Sequence, residues 1–382
     1  MKQKFKKTLP FRTVSKLLFG LFLLVLVASA VTYTRVVLAA TQKEHDMTAL
    51  STSDSTTPET KASATKDEVK SDTQQQKDEK KSTTTQDTTT PAAPATAPTP
   101  TTPTYSPITS PSPRGMDLYV DPSLAQAGRP ETISSQAVAT WLGDWSGDVQ
   151  SIAASKVSAA VSQNKLAVLV AYNIPGRDCG SYSAGGSASA DSYKAWIRQL
   201  AAGIGQNKAI VILEPDALAQ IDCLSPTDQA SRYSLLADAV NVLATQTKAF
   251  IYIDAGHSKW ISAGTMADRL KKANISQARG FSLNISNFIS TNKNTVYGNS
   301  ISAATGKTFV IDTSRNGNDA NGEWCNPRGR ALGASPTTSV GGNVDAYLWV
   351  KVPGESDGNC NSGPSAGVWW EEYAQELIVN RK

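Results

Sequence analysis

The chain has 382 residues, with 37 Lys and Arg against 33 Asp and Glu, for a formal charge of +4 at pH 7. That length allows two or three domains. So small a charge, with no basic stripe interleaved with aromatics in the apolar part, gives little support to a nucleic-acid partner.

Residues 1–16 are basic, with Lys2, Lys4, Lys6, Lys7, Arg12 and Lys16, and Leu17–Tyr33 is an almost unbroken apolar run. Small residues suited to a signal peptidase lie at Ala28-Ser29-Ala30, near the end of that run, and at Leu38-Ala39-Ala40 after it. Residues 1–40 therefore read as a signal peptide or an uncleaved signal anchor. Either way the rest of the chain lies outside the cytoplasm. Membrane contact is expected only through this segment, if it is retained. Residues 41–107 lack apolar periodicity and are rich in Thr, Ser, Pro and Lys. They read as a disordered linker, because such a segment buries too little apolar surface to offset its ordering entropy. Thr88–Pro113 is rich in Thr, Pro and Ala, the composition of a semi-rigid spacer. Roughly 270 residues remain, enough for one large α/β domain over about 108–382.

Within that domain one pattern recurs: an apolar, β-branched run ends in a loop that carries a carboxylate. Leu166–Tyr172 leads to Asp178, and Ala209–Leu213 leads to Glu214 and Asp216. Phe250–Ile253 leads to Asp254, and Gly280–Leu283 leads instead to Asn284 and Asn287. Thr308–Ile311 leads to Asp312, and Tyr347–Val350 leads to Glu355 and Asp357. Helical segments lie between the runs, at Val149–Val161, Ser189–Ile204, Thr227–Ala244 and Thr265–Ala273. Ser189–Ile204 sets Tyr193, Trp196, Ile197, Leu200 and Ile204 on one face, which places Trp196 in a core. Strands alternating with helices imply parallel strands with right-handed crossovers. Runs without strict polar alternation imply burial on both faces. In a parallel α/β barrel the groups after the strands converge at one end, so these carboxylates are expected to meet.

The chemistry is narrowed by what is missing. Only His45 and His257 are present, and no Gly-x-Ser-x-Gly elbow follows a strand. No cluster of His or Cys has zinc spacing, and there is no phosphate-binding glycine loop. No metal or organic cofactor is expected. A pair of carboxylates, one protonated and one ionised, is the equipment of a glycosidase. Eight tryptophans could supply sugar platforms or core. The four cysteines, Cys179, Cys223, Cys325 and Cys360, form no Cys-x-x-Cys pair. In an exported chain they imply two disulfides, with three connectivities open. Some carboxylates also carry plain structural readings. Asp216 could cap a helix starting at Ala217. Asp254 could pair with a buried Arg or His, and Asp312 with Arg315. Asp222 and Asp228 read as surface.

Six segments, in order, resemble glycoside hydrolase family 6. They are Tyr172–Gly180 (YNIPGRDCG), Glu214–Leu218 (EPDAL), Asp254–His257 with Trp260, Asp312–Gly317, Trp324-Cys325, and Lys351–Gly358 (KVPGESDG). The likeness runs from about Met116 to the C-terminus and is closest to bacterial endoglucanase catalytic domains. It implies a distorted seven-stranded parallel β/α barrel with an open substrate cleft at the carboxyl ends of the strands. The implied reaction is inverting, endo-acting hydrolysis of β-1,4-glucosidic bonds in cellulose or a related β-glucan. Carried over, Asp216 is the general acid, Asp178 its neighbour that helps keep it protonated, and Asp357 the candidate base. Asp254 is a supporting group that orients its neighbours. Tyr172 lies under the sugar where the bond breaks. Trp141, Trp324, Lys351 and Glu355 hold the glycone side, His257 and Trp260 the leaving-group side, and Asn284 and Asn287 lie near the cleft. The resemblance also implies the pairings Cys179–Cys223 and Cys325–Cys360. Only Asn359–Ala366 follows the base motif before Gly367-Val-Trp-Trp, too short to enclose the cleft, so endo action is favoured. The alternatives are a cellobiohydrolase of the same family and a non-catalytic surface glucan-binding protein. The expected product is a monomeric extracellular protein, secreted or tethered to the outer face of the cell membrane.

Overall fold

The computed structural model describes residues 111–382, so the apolar segment Leu17–Tyr33 and the linker lie outside the described residues. No helix among the described residues is long and apolar enough to cross a membrane.

Seven strands form one parallel sheet in sequential order. They are β1 (Thr140–Leu142), β2 (Val168–Ala171), β3 (Ile210–Leu213), β4 (Phe250–Asp254), β5 (Gly280–Leu283), β6 (Thr308–Asp312) and β7 (Val344–Leu348). The main crossover helices are α1 (Val149–Val161), α2 (Ala190–Ile204), α3 (Pro226–Gln246), α4 (Ala263–Lys272) and α5 (Thr291–Thr305), with α6 (Glu371–Val379) near the end of the chain. Side-chain caps start several of them. Asp148 accepts the Ser151 N–H, Ser225 that of Asp228 and Ser262 that of Thr265. Each cap satisfies an N–H that has no partner inside its helix.

The strands bury both faces, which is why their sequences run apolar without alternation. Leu169, Val211, Ile253 and Phe281 pack outward against the helices. Val168, Val170, Ile210, Ile212, Tyr252, Val310 and Leu348 fill the interior. At the N-terminal ends of the strands the fully buried Asp345 receives Arg279, Arg114 and Thr308, along with the Tyr252 hydroxyl. That network lets a carboxylate sit inside a strand. The last strand begins at Val344, before the apolar run that marks it in the sequence.

The sheet curls but β1 and β7 share no ladder. A single parallel bridge, Val138 to Trp349, joins the edges, with the Ala139 N–H donating to the Trp349 carbonyl at 3.0 Å. Above it the Trp141 indole N–H donates to the Val350 carbonyl at 2.8 Å. The barrel is therefore distorted, its β1–β7 seam pinned at the level of Trp141. β1 escapes recognition as a sequence run because it is only three residues long, and α5 because its sequence is mostly polar.

Candidate active site

At the carboxyl ends of the strands lies a cleft of ≈ 1140 Å³. Asp178, Asp216 and Asp357 line it together with Trp141, Tyr172, His257, Trp260, Asn287, Trp324, Lys351 and Glu355.

Asp216 follows β3 on a tight turn. Glu214 and Asp216 both have positive φ, at 50° and 68°, which aims the aspartate into the cleft instead of onto a helix. The turn runs on through Gln220 without an α-helix at Ala217, so Asp216 caps nothing. Burial drives its carboxyl well above the ordinary carboxylate range, and the charges of Asp254 and Asp178 add to the effect. Asp254, at the end of β4, is fully buried beneath it. Its Oδ2 accepts the backbone N–H of Asp216 at 3.0 Å and of Gly256 at 3.1 Å, and its Oδ1 accepts the Ser282 hydroxyl at 3.1 Å. Burial raises Asp254 to about 6 against those hydrogen bonds. Asp254 thus meets neither an Arg nor a His; it grips the backbone of Asp216.

Asp178 leaves β2 with φ of 56°. Its Oδ2 accepts the Ser183 N–H at 2.8 Å and its Oδ1 the Gln220 amide at 3.0 Å. Beneath this loop, the buried Glu214 carboxylate accepts the N–H groups of Asn173 and Ile174, and burial raises Glu214 to about 7. Burial, followed by the charges of Asp216 and Asp178, raises the Tyr172 phenol well above its ordinary value. Trp141 meets the Tyr172 ring edge-on at 5.3 Å. The Arg177 guanidinium stacks over both Tyr172 and Trp145, at 4.7 and 4.8 Å, while pairing with Asp144 at 2.8 Å.

Across the cleft, Asp357 is held by the fully buried Arg315 in a two-pronged ion pair, at 2.9 and 3.0 Å. The Asn326 N–H donates to it at 3.0 Å, and Lys351 stands 3.9 Å away. Burial depresses the Lys351 ammonium and raises Glu355. On the far side His257 is pushed down to about 4 by burial and the nearby Lys259 charge, so it is a neutral donor and acceptor at neutral pH. Its ring lies 5.5 Å from Trp260. Among the described residues no three His, Cys, Asp or Glu side chains are grouped to hold a metal ion.

The model for Glycosyl hydrolases family 6 matches residues 116–381. The chain belongs to this family. Endoglucanase 1 of Streptomyces halstedii is 46% identical over 257 residues, covering 65% of this chain and 79% of that protein. Endoglucanase A of Cellulomonas fimi is 49% identical over 257 residues, 66% of this chain and 56% of that protein, so the match spans little more than half of the relative. In three dimensions the chain is similar to the endoglucanase Cel6 from Mycobacterium tuberculosis, solved in complex with methyl-cellobiosyl-4-deoxy-4-thio-β-D-cellobioside. The TM-score is 0.67 at 43% identity, over 70% of this chain and 97% of that one.

The family 6 barrel of this chain pins two of its cleft loops with disulfides, Cys179–Cys223 and Cys325–Cys360. The first ties the Asp178 loop to the segment after Asp216, and the second ties the Trp324 loop to the Asp357 loop. Two expectations are corrected by the geometry. Asn284 is fully buried and does not line the cleft; its amide donates to the Asp312 carbonyl at 2.8 Å and its oxygen accepts the Ile289 N–H, so it shapes the turn that presents Asn287. Arg315 pairs with Asp357 and not with Asp312. Asp312 instead accepts backbone N–H groups from Ser286, Ser314, Val350 and Lys351. It thereby joins the loops after β5, β6 and β7 at one point. Trp196 is core, as its helical face implies, and Asp222 is exposed while binding Arg269. Gln220, Tyr182 and Asn326 are site residues that sequence reasoning did not single out, and Arg315 was singled out only as a partner for Asp312. Arg315 stands inside a family segment, which was the available signal; the others come from loops whose pairing only the fold reveals.

Proposed function

We propose that this chain is an exported endo-β-1,4-glucanase that hydrolyses internal bonds of cellulose or a related β-glucan with inversion. One observation carries the reading. A carboxyl group that burial and two neighbouring carboxylates raise well above the ordinary range, Asp216, lines the same indole-walled cleft as Asp357, an aspartate clamped by Arg315. The endoglucanase names of the relatives support the substrate class.

In this mechanism a glucan chain lies along the cleft, with Trp141, Trp324, Lys351 and Glu355 on the glycone side. His257, Trp260 and Asn287 hold the leaving-group side. Asp216 donates its proton to the glycosidic oxygen, and the Asp178 charge favours that proton's presence before reaction. As the bond breaks, positive charge develops on the sugar above Tyr172. Water enters from the opposite face and Asp357 receives its proton, through a relayed water where direct contact is lacking. Inverting pairs stand roughly 6.5–9.5 Å apart to seat that water. Both oxygens of Asp357 already accept hydrogen bonds, so it is held in one orientation toward its partner. The short Asn359–Ala366 segment favours cuts within the chain over release from an end. Two disulfides suit an oxidising compartment outside the cytoplasm.

Digestion of cellohexaose followed by NMR tests both halves of this reading. The wild type is expected to release the α-anomer first. Asp216→Ala is expected to lose about 10²–10⁴-fold in turnover, the usual worth of a positioned acid, while still binding the oligosaccharide. An initial β-anomer would refute inversion, and normal turnover in the variant would refute the acid assignment.

A further inference from the structure

The cleft does not stop at the wall of the barrel. β1 and β7 meet only at the Val138–Trp349 bridge, so no strand ladder closes the sheet on this side. At that seam lies an apolar cluster separate from the barrel interior. Ile133, Val138, Trp349 and Val352 are buried in it, and Leu124 and Trp369 pack against them. Its surface continues the cleft. Leu124, Val138 and Val352 line the same cavity as Asp216 and Asp357, together with Gln136 and Val368.

The order of these groups follows from the strand pairing. Tyr172 comes directly after β2, and Trp141 lies in β1, which pairs with β2. On its other side the Trp141 indole N–H reaches the Val350 carbonyl, across the seam. Trp141 therefore stands between Tyr172 and the seam, its ring 5.3 Å from the tyrosine, so the two serve adjacent glucose units. Val352 follows Val350 on the far side. There Glu355 bridges to Trp369, and the Ser356 N–H donates to the Val368 carbonyl at 2.9 Å, which sets Val368 beside Glu355. Gln136 stands two residues before Val138 on the opposite edge. Among the described residues its amide meets only the adjacent Ser135 hydroxyl, at 3.3 Å, so it keeps hydrogen-bonding capacity for a ligand.

We propose that this floor is a further sugar-binding subsite, which takes the glucose units beyond the first two on the glycone side. A β-1,4-glucan offers apolar ring faces and hydroxyl edges. An apolar floor with an amide at its edge matches both. The site rests on the hydrolase reading above and extends its cleft: a chain that continues past the seam on this side and past Trp260 on the other is bound as an internal stretch. Contacts this far from the cut add binding energy that longer chains alone can use.

The test uses cellopentaose isotope-labelled at its reducing end, with cellotetraose as the reference. Splitting cellotetraose into two cellobioses places two units on either side of the cut, so that reaction does not reach the subsite. Release of labelled cellobiose from cellopentaose places three units on the glycone side and does reach it. Gln136→Ala is expected to lower kcat/KM for that release by about two- to tenfold relative to cellotetraose, the worth of one hydrogen bond. Val368→Asp sets a charge on the floor at a side chain that is 47% exposed, which the fold tolerates. It is expected to shift the products from labelled cellobiose toward labelled cellotriose. Rates and products unchanged in both variants would overturn the subsite, as would an equal fall on both substrates. A wild type that cleaves neither oligosaccharide would instead defeat the hydrolase reading, so the two failures are distinct.

Discussion

Glu214→Gln isolates the cost of keeping a carboxylate beneath the Asp178 loop. Glu214 is 1% exposed and its oxygens accept the Asn173 and Ile174 N–H groups. An amide oxygen can accept the same two bonds, since both N–H groups already reach one oxygen, Oε2. What the substitution removes is the ionisation. In the folded protein Glu214 titrates at about 7, against 4.5 for the free side chain, because burial outweighs its hydrogen bonds. The folded-state value is the higher one, so the stability this group confers is complete below pH 4.5. It fades as pH rises and is gone above 7. The difference, 7 − 4.5 = 2.5 pH units, at 1.36 kcal/mol per unit amounts to about 3 kcal/mol. Urea unfolding of both proteins at pH 4.5 and pH 8, with the disulfides intact, gives the comparison. Every other titrating group is common to the two. The stability of the variant relative to wild type is therefore expected to climb by about 3 kcal/mol between those pH values. Parallel pH dependences would show that Glu214 is not raised in the folded state, and the argument from its burial would fail.

Two further outcomes follow from the same site. Asp254→Asn removes one of the two charges that hold the proton on Asp216, while its amide oxygen can still accept the Asp216 and Gly256 N–H groups. Asp216 should then release its proton at lower pH. The alkaline limb of kcat/KM is expected to move acidward; a limb that stays in place would mean that the Asp254 charge does not act on Asp216. Replacing both Cys325 and Cys360 by Ser frees a loop of sequence separation 35, which the chain-entropy relation values at about 4 kcal/mol. Equilibrium unfolding is expected to show a loss of that order, and an unchanged midpoint would refute it.

Much of the site was legible because its residues follow the strands directly. Asp216 and Asp254 come straight after or at the end of apolar runs, and parallel strands in sequential order must bring those ends together. Asp178 and Asp357 hang on longer loops and were legible through the family motifs. Less legible was anything that depends on which loop reaches which. Arg315 lies near Asp312 in sequence, yet it passes over it to clamp Asp357, 42 residues on. Asn284 follows a strand just as the carboxylates do, but its side chain turns inward to tie two loops.

The order of apolar runs and the carboxylates behind them determined, from sequence alone, parallel strands joined by helices with those carboxylates gathered at one end. Tertiary structure decided which aspartate is buried against two others, and so titrates above the ordinary carboxylate range, and which is clamped by an arginine. It also decided that two loops touch through Tyr182 and Trp324. The physical reason is that strand pattern is a local property of the chain. Burial, charge proximity and loop contact are set between segments far apart in sequence, and exist only once the sheet has curled.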